Sequence, residues 1–192
     1  MPSRSKPRAD LTVHELTIEP LAATAFKPFG KLIDAPRRPP NRRTLVYDKG
    51  FDVDGKTIVG VIWQPFAGLT FSRLERHFNV TQAFVPLSGS LAVVAVAPPT
   101  DCDDPEAVPP PAHVRAFLID GTVGFRYHVG TWHSLDRYVL HPPGATFAMI
   151  NVEPNPTQVV DYADRFGVVF KIGLPAAPPA LPSAARRRRR LR

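Results

Sequence analysis

Residues 74–87 read LERHFNVTQAFVPL and form the most informative stretch of the chain. The segment that ends at His77 and the one that begins at Gln82 are typical of strands. Side chains alternate along a strand, so Glu75 and His77 share one face. Arg76 takes the opposite face, where we expect an outside or dimer-face position. If the first face points into a barrel, a carboxylate and an imidazole enter one cavity together.

Short strands are predicted on both sides of this stretch. The predicted strands are 13–18, 31–34, 56–65, 69–77, 82–87, 91–97, 114–119, 124–128, 146–152 and 168–172. Residues 21–26 and 158–166 predict short helices. The 23 prolines exceed twice the usual share of about 5% and disfavour long helices. Many closely spaced strands therefore predict an all-β sandwich or barrel and disfavour a Rossmann or TIM architecture.

The two ends of the chain differ in composition from its body. Residues 1–12 and 175–192 are predicted to be disordered, which leaves 13–174 as one folded domain. The last seven residues (186–192) include six arginines, which supply six of the seven net positive charges. The body is therefore nearly neutral, and no specific nucleic-acid partner is expected.

The number of cysteines and the length of the apolar runs indicate the compartment of the protein and whether it spans a membrane. Cys102 is the only cysteine, so an intramolecular disulfide is excluded and a reducing compartment fits. No apolar run approaches the roughly 20 residues of a membrane span. We expect a cytoplasmic protein without a membrane partner.

Two spaced motifs resemble those of the cupins. The first cupin motif is His-x-His, three or four residues, Glu, six residues and Gly, and the corresponding residues here are Glu75, His77, Gln82 and Gly89. The second is Pro-x-Gly-x-x-His, and the corresponding residues are His128, Gly130 and His133. The resemblance implies a cupin-type antiparallel β-barrel, or double-stranded β-helix, with one or two short helices.

More specifically, the chain resembles the ureidoglycolate lyase family. The segments that carry this resemblance are 74–77, 81–87, 114–117, 127–128 and 132–133. Members of that family split ureidoglycolate into glyoxylate and urea in purine and allantoin catabolism. The resemblance implies a homodimeric carbon–nitrogen lyase that acts on a small carboxylate-bearing substrate. Ser134 and residues 41–45 depart from the family pattern, which bears on the substrate more than on the fold.

The implied chemistry assigns a role to each candidate residue. A base must remove the hydroxyl proton while an acid or a metal assists the leaving nitrogen. The candidate base is Glu75 or His133, and His77 holds a metal or polarises the hydroxyl. Candidate substrate-binding residues are Gln82 for the urea group, His128, and Arg115 and Lys56 as carboxylate clamps.

A divalent metal is the cofactor that these residues suit. Two imidazoles and a carboxylate are typical ligands of a first-row divalent ion. The candidate ligands are Glu75, His77, Gln82 and His133. The same set would serve a metal-dependent cupin oxygenase or isomerase, and a non-catalytic small-ligand-binding cupin is the third alternative.

Overall fold

The computed structural model describes residues 11–34 and 43–174. The predicted disordered ends, except residues 11 and 12, and residues 35–42 lie outside the described residues. Thr12 already belongs to the first strand. Within the described ranges, no helix is long and apolar enough to cross a membrane.

The described chain is built almost entirely from short strands. The strands are β1 (Thr12–Pro20), β2 (Gly30–Ile33), β3 (Lys56–Pro65), β4 (Thr70–Phe71), β5 (Arg73–His77), β6 (Ala83–Pro86), β7 (Ala92–Ala97), β8 (Arg115–Ile119), β9 (Gly124–Tyr127), β10 (Trp132–Ser134), β11 (Tyr138–Val139), β12 (Gly144–Glu153), β13 (Thr157–Asp161) and β14 (Val168–Gly173). The helices are α1 (Ala23–Phe26) and α2 (Tyr162–Phe166), with a 3-10 turn at Pro111–His113. The predicted all-β class is confirmed.

The strands form two curled sheets. The larger has the order β13-β5-β10-β7-β8-β1-β14-β4, with β11 also pairing with β7, and the smaller has the order β2-β9-β6-β12-β3. The described pairs are antiparallel except those of β1, which runs parallel to both β8 and β14. Long connections separate β1 from both partners in sequence, which parallel pairing requires. The cupin-like fold is confirmed, and β1 is a parallel addition to it.

Strand β7 separates two hydrophobic cores. Val94 and Val96 point into the core between the sheets, together with Phe84, Phe125 and Phe147. Val93 and Ala95, on the other face of β7, pack into a second core beneath β14 and α2. This explains why residues 91–97 are apolar at every position, as expected for a strand buried on both faces.

The predicted helix at 158–166 is only half correct. Residues Thr157–Asp161 form β13, which pairs with β5 along its whole length. The helix begins after Asp161, whose side chain accepts a hydrogen bond from the Ala163 amide, and ends at Gly167 in the left-handed conformation. Pairing with β5 therefore overrides the helical pattern in the first half of the segment.

Candidate active site

Strands β5 and β10 bring the two motifs together. Glu75 and His133 are direct partners in this antiparallel pair, so their side chains lie on the same face. His77 follows Glu75 by two positions and shares that face. His133 is also paired with Val96, which belongs to the core between the sheets. The three polar side chains therefore point into the barrel.

The two motif glycines lie in turns, Gly89 between β6 and β7 and Gly130 between β9 and β10. Gly89 and Gly130 have φ values of 68° and 76°. Both lie in the left-handed region that side chains with a Cβ disfavour. Gly130 makes the turn that leads from β9 into β10 and thereby sets the register of His133.

Glu75, His77 and His133 converge on one point. Oε1 of Glu75 lies 3.9 Å from Nε2 of His77 and 3.7 Å from Nδ1 of His133. One potential ligand atom from each residue lies within 4.8 Å of the other two. We call these three residues the triad. The motif spacing predicted this convergence.

The imidazole of His77 is held in one tautomer by Thr157. The Thr157 hydroxyl donates to the carbonyl of Asn155, so its oxygen accepts from the Nδ1–H of His77 at 2.8 Å. Nε2 is then the unprotonated nitrogen, and it is buried without a partner among the described residues. Burial lowers the pKa of His77 to about 4, although the neighbouring amide of Gln82 opposes the shift. His77 therefore presents a lone pair to the site at neutral pH.

The imidazole of His133 is oriented by a backbone carbonyl and by Tyr127. Its Nδ1 lies 3.2 Å from the Ser134 carbonyl, to which it donates, and its Nε2 is buried without a partner in the described chain. The ring stacks on Tyr127, with centroids 4.4 Å apart and planes 9° apart. Burial lowers the pKa of His133 well below its usual value, and the charges of His77 and Arg137 add to this effect. Both histidines thus offer an unprotonated Nε2.

Glu75 is the most accessible member of the triad. Its side chain is 20% exposed, against 1% for His133. Burial raises the pKa of Glu75, Arg137 opposes the shift and Asp136 adds to it. A carboxyl with a raised pKa accepts and returns a proton more readily at neutral pH than an ordinary one.

The predicted residue Gln82 lies beside the triad. Its side chain is buried, and Nε2 donates to the sulfur of Met149 at 3.8 Å. Its Oε1 has no partner among the described residues. The structure therefore brings four predicted residues to one site.

The other three predicted residues have contacts elsewhere. Arg115 is committed to Glu19 through two hydrogen bonds and also donates to the Ala25 carbonyl. Nε2 of His128 lies 3.1 Å from the carbonyl of Lys27, next to α1. Lys56 is exposed at the start of β3. No described contact joins these three residues to the triad.

Two site residues were missed by the sequence analysis, Tyr127 and Arg137. Tyr127 is buried against His133, and apart from an interaction with Arg137 its hydroxyl has no partner in the described chain. The guanidinium of Arg137 is also buried and lies 4.1 Å from the centre of the Phe84 ring. The Tyr127-His128 dipeptide carried the family resemblance and pointed to the first of them. The sequence offered no comparable signal for Arg137.

Arg76 was predicted at an outside or dimer face, and this prediction is wrong. Its side chain points away from the triad but is fully buried. It donates to Gln158, to the hydroxyl and carbonyl of Thr100, and to the carbonyls of Asp101 and Asp104. The Thr100 hydroxyl also accepts from Nε1 of Trp132. The loop after β7 covers this face of the sheet, which strand alternation alone does not reveal.

The chain is similar to known proteins over the part that holds this site. The family model for ureidoglycolate lyase matches residues 56–166, a range that includes the triad, Gln82, Tyr127 and Arg137. The chain belongs to the ureidoglycolate lyase family. Relatives named ureidoglycolate lyase come from Pseudomonas syringae pathovar tomato, Pseudomonas fluorescens and Stutzerimonas stutzeri, and they are 36%, 37% and 38% identical to this chain. Each alignment covers 62% of this chain and 72%, 74% and 72% of the respective relative.

Proposed function

We propose that this member of the ureidoglycolate lyase family cleaves ureidoglycolate into glyoxylate and urea. The observation that carries the proposal is the convergence of Glu75, His77 and His133 inside the barrel, within the segment that matches the family. The reaction would serve purine-derived nitrogen recovery in the cytoplasm, a location that the single cysteine supports.

The reaction needs one base and one proton donor. The base takes the proton of the substrate's hydroxyl group, and the O–H electron pair forms the new C=O bond of glyoxylate. The C–N bond breaks, its electron pair stays on nitrogen, and a proton on that nitrogen completes urea. Neither water nor an oxidant is consumed, so hydrolytic release of ammonia is not required.

Glu75 fits the role of this base better than His133. Its carboxylate is the accessible member of the triad, whereas His133 is almost completely enclosed. Its raised pKa also suits it to pass the same proton to the leaving nitrogen. In this proposal the lone pair on Nε2 of His77 is available to a divalent metal ion, and the Oε1 of Gln82 accepts from the urea N–H groups.

The triad also fits a divalent metal ion. Nε2 of each histidine is unprotonated and buried without a described partner. One potential ligand atom of each triad member lies within 4.8 Å of the other two, and this donor set suits Zn²⁺ or a similar ion. The bond from Nδ1 of His77 to Thr157 is the outer contact that commonly orients a ligating histidine. Glu75, His77 and His133 would hold the ion, which would supply Lewis-acid polarisation of the substrate oxygen.

The proposal includes a homodimer, and strand β3 is the surface that supports it. Val59, Val61 and Trp63 lie on one side of this strand and are 76%, 69% and 55% exposed. Within the described residues, β3 is the edge of the smaller sheet and pairs only with β12. An apolar row on an open strand edge is a typical site for association with a second copy.

Turnover of ureidoglycolate tests the proposal directly. Purified protein, assayed with and without added Zn²⁺ or Mn²⁺, should release glyoxylate and urea in equal amounts without ammonia. His77→Ala should lower kcat by at least about 100-fold, the scale of an acid–base or electrophilic contribution. His113→Ala is the matched control, because that histidine is exposed in the 3-10 turn. Ammonia as a primary product, or no turnover by folded protein at millimolar substrate, would refute the lyase proposal.

A further inference from the structure

Arg137 is a buried cation with unused hydrogen-bond donors. Only 4% of the residue is exposed. Its Nη2 donates to the Leu135 carbonyl at 2.8 Å. Apart from an interaction with the Tyr127 hydroxyl, Nε and Nη1 make no hydrogen bond in the described part of the chain. It takes part in none of the ion pairs found among the described residues. A buried guanidinium without an anionic partner lowers stability, so its presence calls for a ligand.

The guanidinium of Arg137 lies near the triad. It lies over the ring of Phe84, at 4.1 Å from the ring centre. Phe84 packs against Tyr127, with ring centroids 6.0 Å apart, and Tyr127 stacks on His133. The positive charge of Arg137 also acts to lower the pKa values of nearby groups, among them Glu75, His77 and His133 of the triad and the two tyrosines Tyr127 and Tyr138.

We infer that Arg137 binds the carboxylate of the substrate and holds the adjacent carbon against Glu75. The inference rests on the proposed function and names the residue that recognises the acid. A guanidinium is the side chain best suited to bind a carboxylate, because its planar N–H donors match the two carboxylate oxygens. The donors on Nε and Nη1 of Arg137 are available for such a pair. Arg115, one of the two carboxylate clamps predicted from the sequence, already holds the carboxylate of Glu19.

This role makes Arg137 a specificity-determining residue. N-(hydroxymethyl)urea keeps the reacting hydroxyl, carbon and urea group of ureidoglycolate and lacks only the carboxylate. Without that carboxylate, the donors of Arg137 stay buried and unpaired when the analogue binds. We expect the wild-type enzyme to prefer ureidoglycolate over the analogue by at least about 100-fold in kcat/KM, since unpaired buried donors discriminate strongly.

The test compares Arg137→Met, Arg137→Lys and the control Arg165→Met on both compounds. Methionine keeps the packing on Phe84 and removes the charge, and lysine keeps the charge without the planar donors. Arg165 pairs at the surface with Glu106, so its loss should change neither substrate's kinetics. Arg137→Met should lower kcat/KM for ureidoglycolate about 100-fold, mainly through KM, and change it less than about 3-fold for the analogue. Arg137→Lys should recover part of the loss.

Calorimetric binding of glyoxylate separates this inference from the lyase proposal. If wild-type protein binds glyoxylate and Arg137→Met does not, Arg137 is the carboxylate site even when no turnover is found. If Arg137→Met keeps both the KM and the glyoxylate affinity, the inference is refuted. An equal loss on ureidoglycolate and the analogue also overturns it, because that pattern indicates a general structural role. If Arg137→Met melts well below wild type, the inference is judged on Arg137→Lys alone. An unchanged KM of Arg137→Lys for ureidoglycolate then refutes the inference.

Discussion

Thr157 lies directly opposite His77 in the antiparallel pair of β13 and β5, and its hydroxyl oxygen is 2.8 Å from Nδ1 of that histidine. The hydroxyl hydrogen is used on the Asn155 carbonyl, so the oxygen acts as an acceptor. A residue outside the triad thus decides which nitrogen of His77 carries the proton. This is the orienting contact that active-site histidines generally require.

Replacing Thr157 by valine should impair catalysis without unfolding the protein. The shape is kept, but the acceptor for Nδ1–H is lost, so the ring is free to change tautomer. We expect kcat to fall by about 10- to 100-fold, the scale found for outer-shell contacts. Thr157→Ser keeps the hydroxyl and should retain most of the turnover. Equal activities of the serine and valine variants would show that the contact does not orient His77.

Stability should fall on acidification in protein freed of metal by a chelator. An unfolded histidine titrates near 6.5, whereas burial lowers the pKa of His77 to about 4 and that of His133 well below normal. Between these values the unfolded chain binds more protons, so stability is lost as the pH falls through this window. His77 alone should contribute about 2 kcal/mol of this loss near pH 5.

Protonation of Glu75 stabilises the folded protein as the pH falls, in part of the same pH range. Its raised pKa means that the folded state takes up its proton first, which offsets some of the loss. Melting curves of wild type and His77→Gln at pH 7 and pH 5 measure the effect. The variant should lose less stability than the wild type between these two values. A parallel decline in both proteins would contradict the assignment of this pH dependence to His77.

Arg76→Met should act on stability and leave the chemistry of the folded protein nearly unchanged. The substitution leaves the carbonyls of Thr100, Asp101 and Asp104 without their buried donor. We expect a loss of about 3 kcal/mol in the free energy of unfolding, measured with urea. The surface variant Arg165→Met should cost less than about 1 kcal/mol. Normal stability with abolished turnover would instead mean that Arg76 takes part in the reaction.

A charge placed on the open face of β3 should separate the proposed dimer. Val61→Asp puts a carboxylate at the centre of the exposed apolar row, where a second copy would have to desolvate it. Light scattering should report twice the chain mass for wild type and a single chain mass for the variant. Val13→Asp, at an exposed valine of β1, should leave the mass unchanged. A wild-type protein that is monomeric at high concentration would refute the dimer proposal.

The sequence predicted the triad by one local rule and one motif resemblance. Strand alternation put Glu75 and His77 on one face, and the spacing of the second motif added His133. Most strands were also located by a local rule, since apolar periodicity marks them directly. The three strands that were missed (β10, β11 and β13) are held by pairing with distant partners, and short polar segments carry little pattern of their own.

Arg137 and Arg76 show where local rules end. Arg137 lies in the connection between β10 and β11, and only the packing of Phe84 brings its guanidinium into the barrel. For Arg76 the face was predicted correctly, but its burial depends on a loop more than 20 residues away in sequence. In both cases a contact between residues distant in sequence determines the surroundings of the charged group. Such contacts leave no periodic pattern in a single sequence.

The hydroxyl of Thr100 has consequences for how this enzyme tolerates change. It accepts from Arg76, which sits between Glu75 and His77, and from Trp132, which precedes His133. One threonine in an exposed, proline-rich connection is therefore bonded to a sequence neighbour of every triad member. Protein engineers commonly choose such connections for tags or inserted domains. Here an insertion between Thr100 and Asp104 would take the buried acceptors away from Arg76 and lower the free energy of unfolding, as Arg76→Met is expected to do. The stretch that looks most expendable on the surface is one of the least replaceable for the stability of the fold.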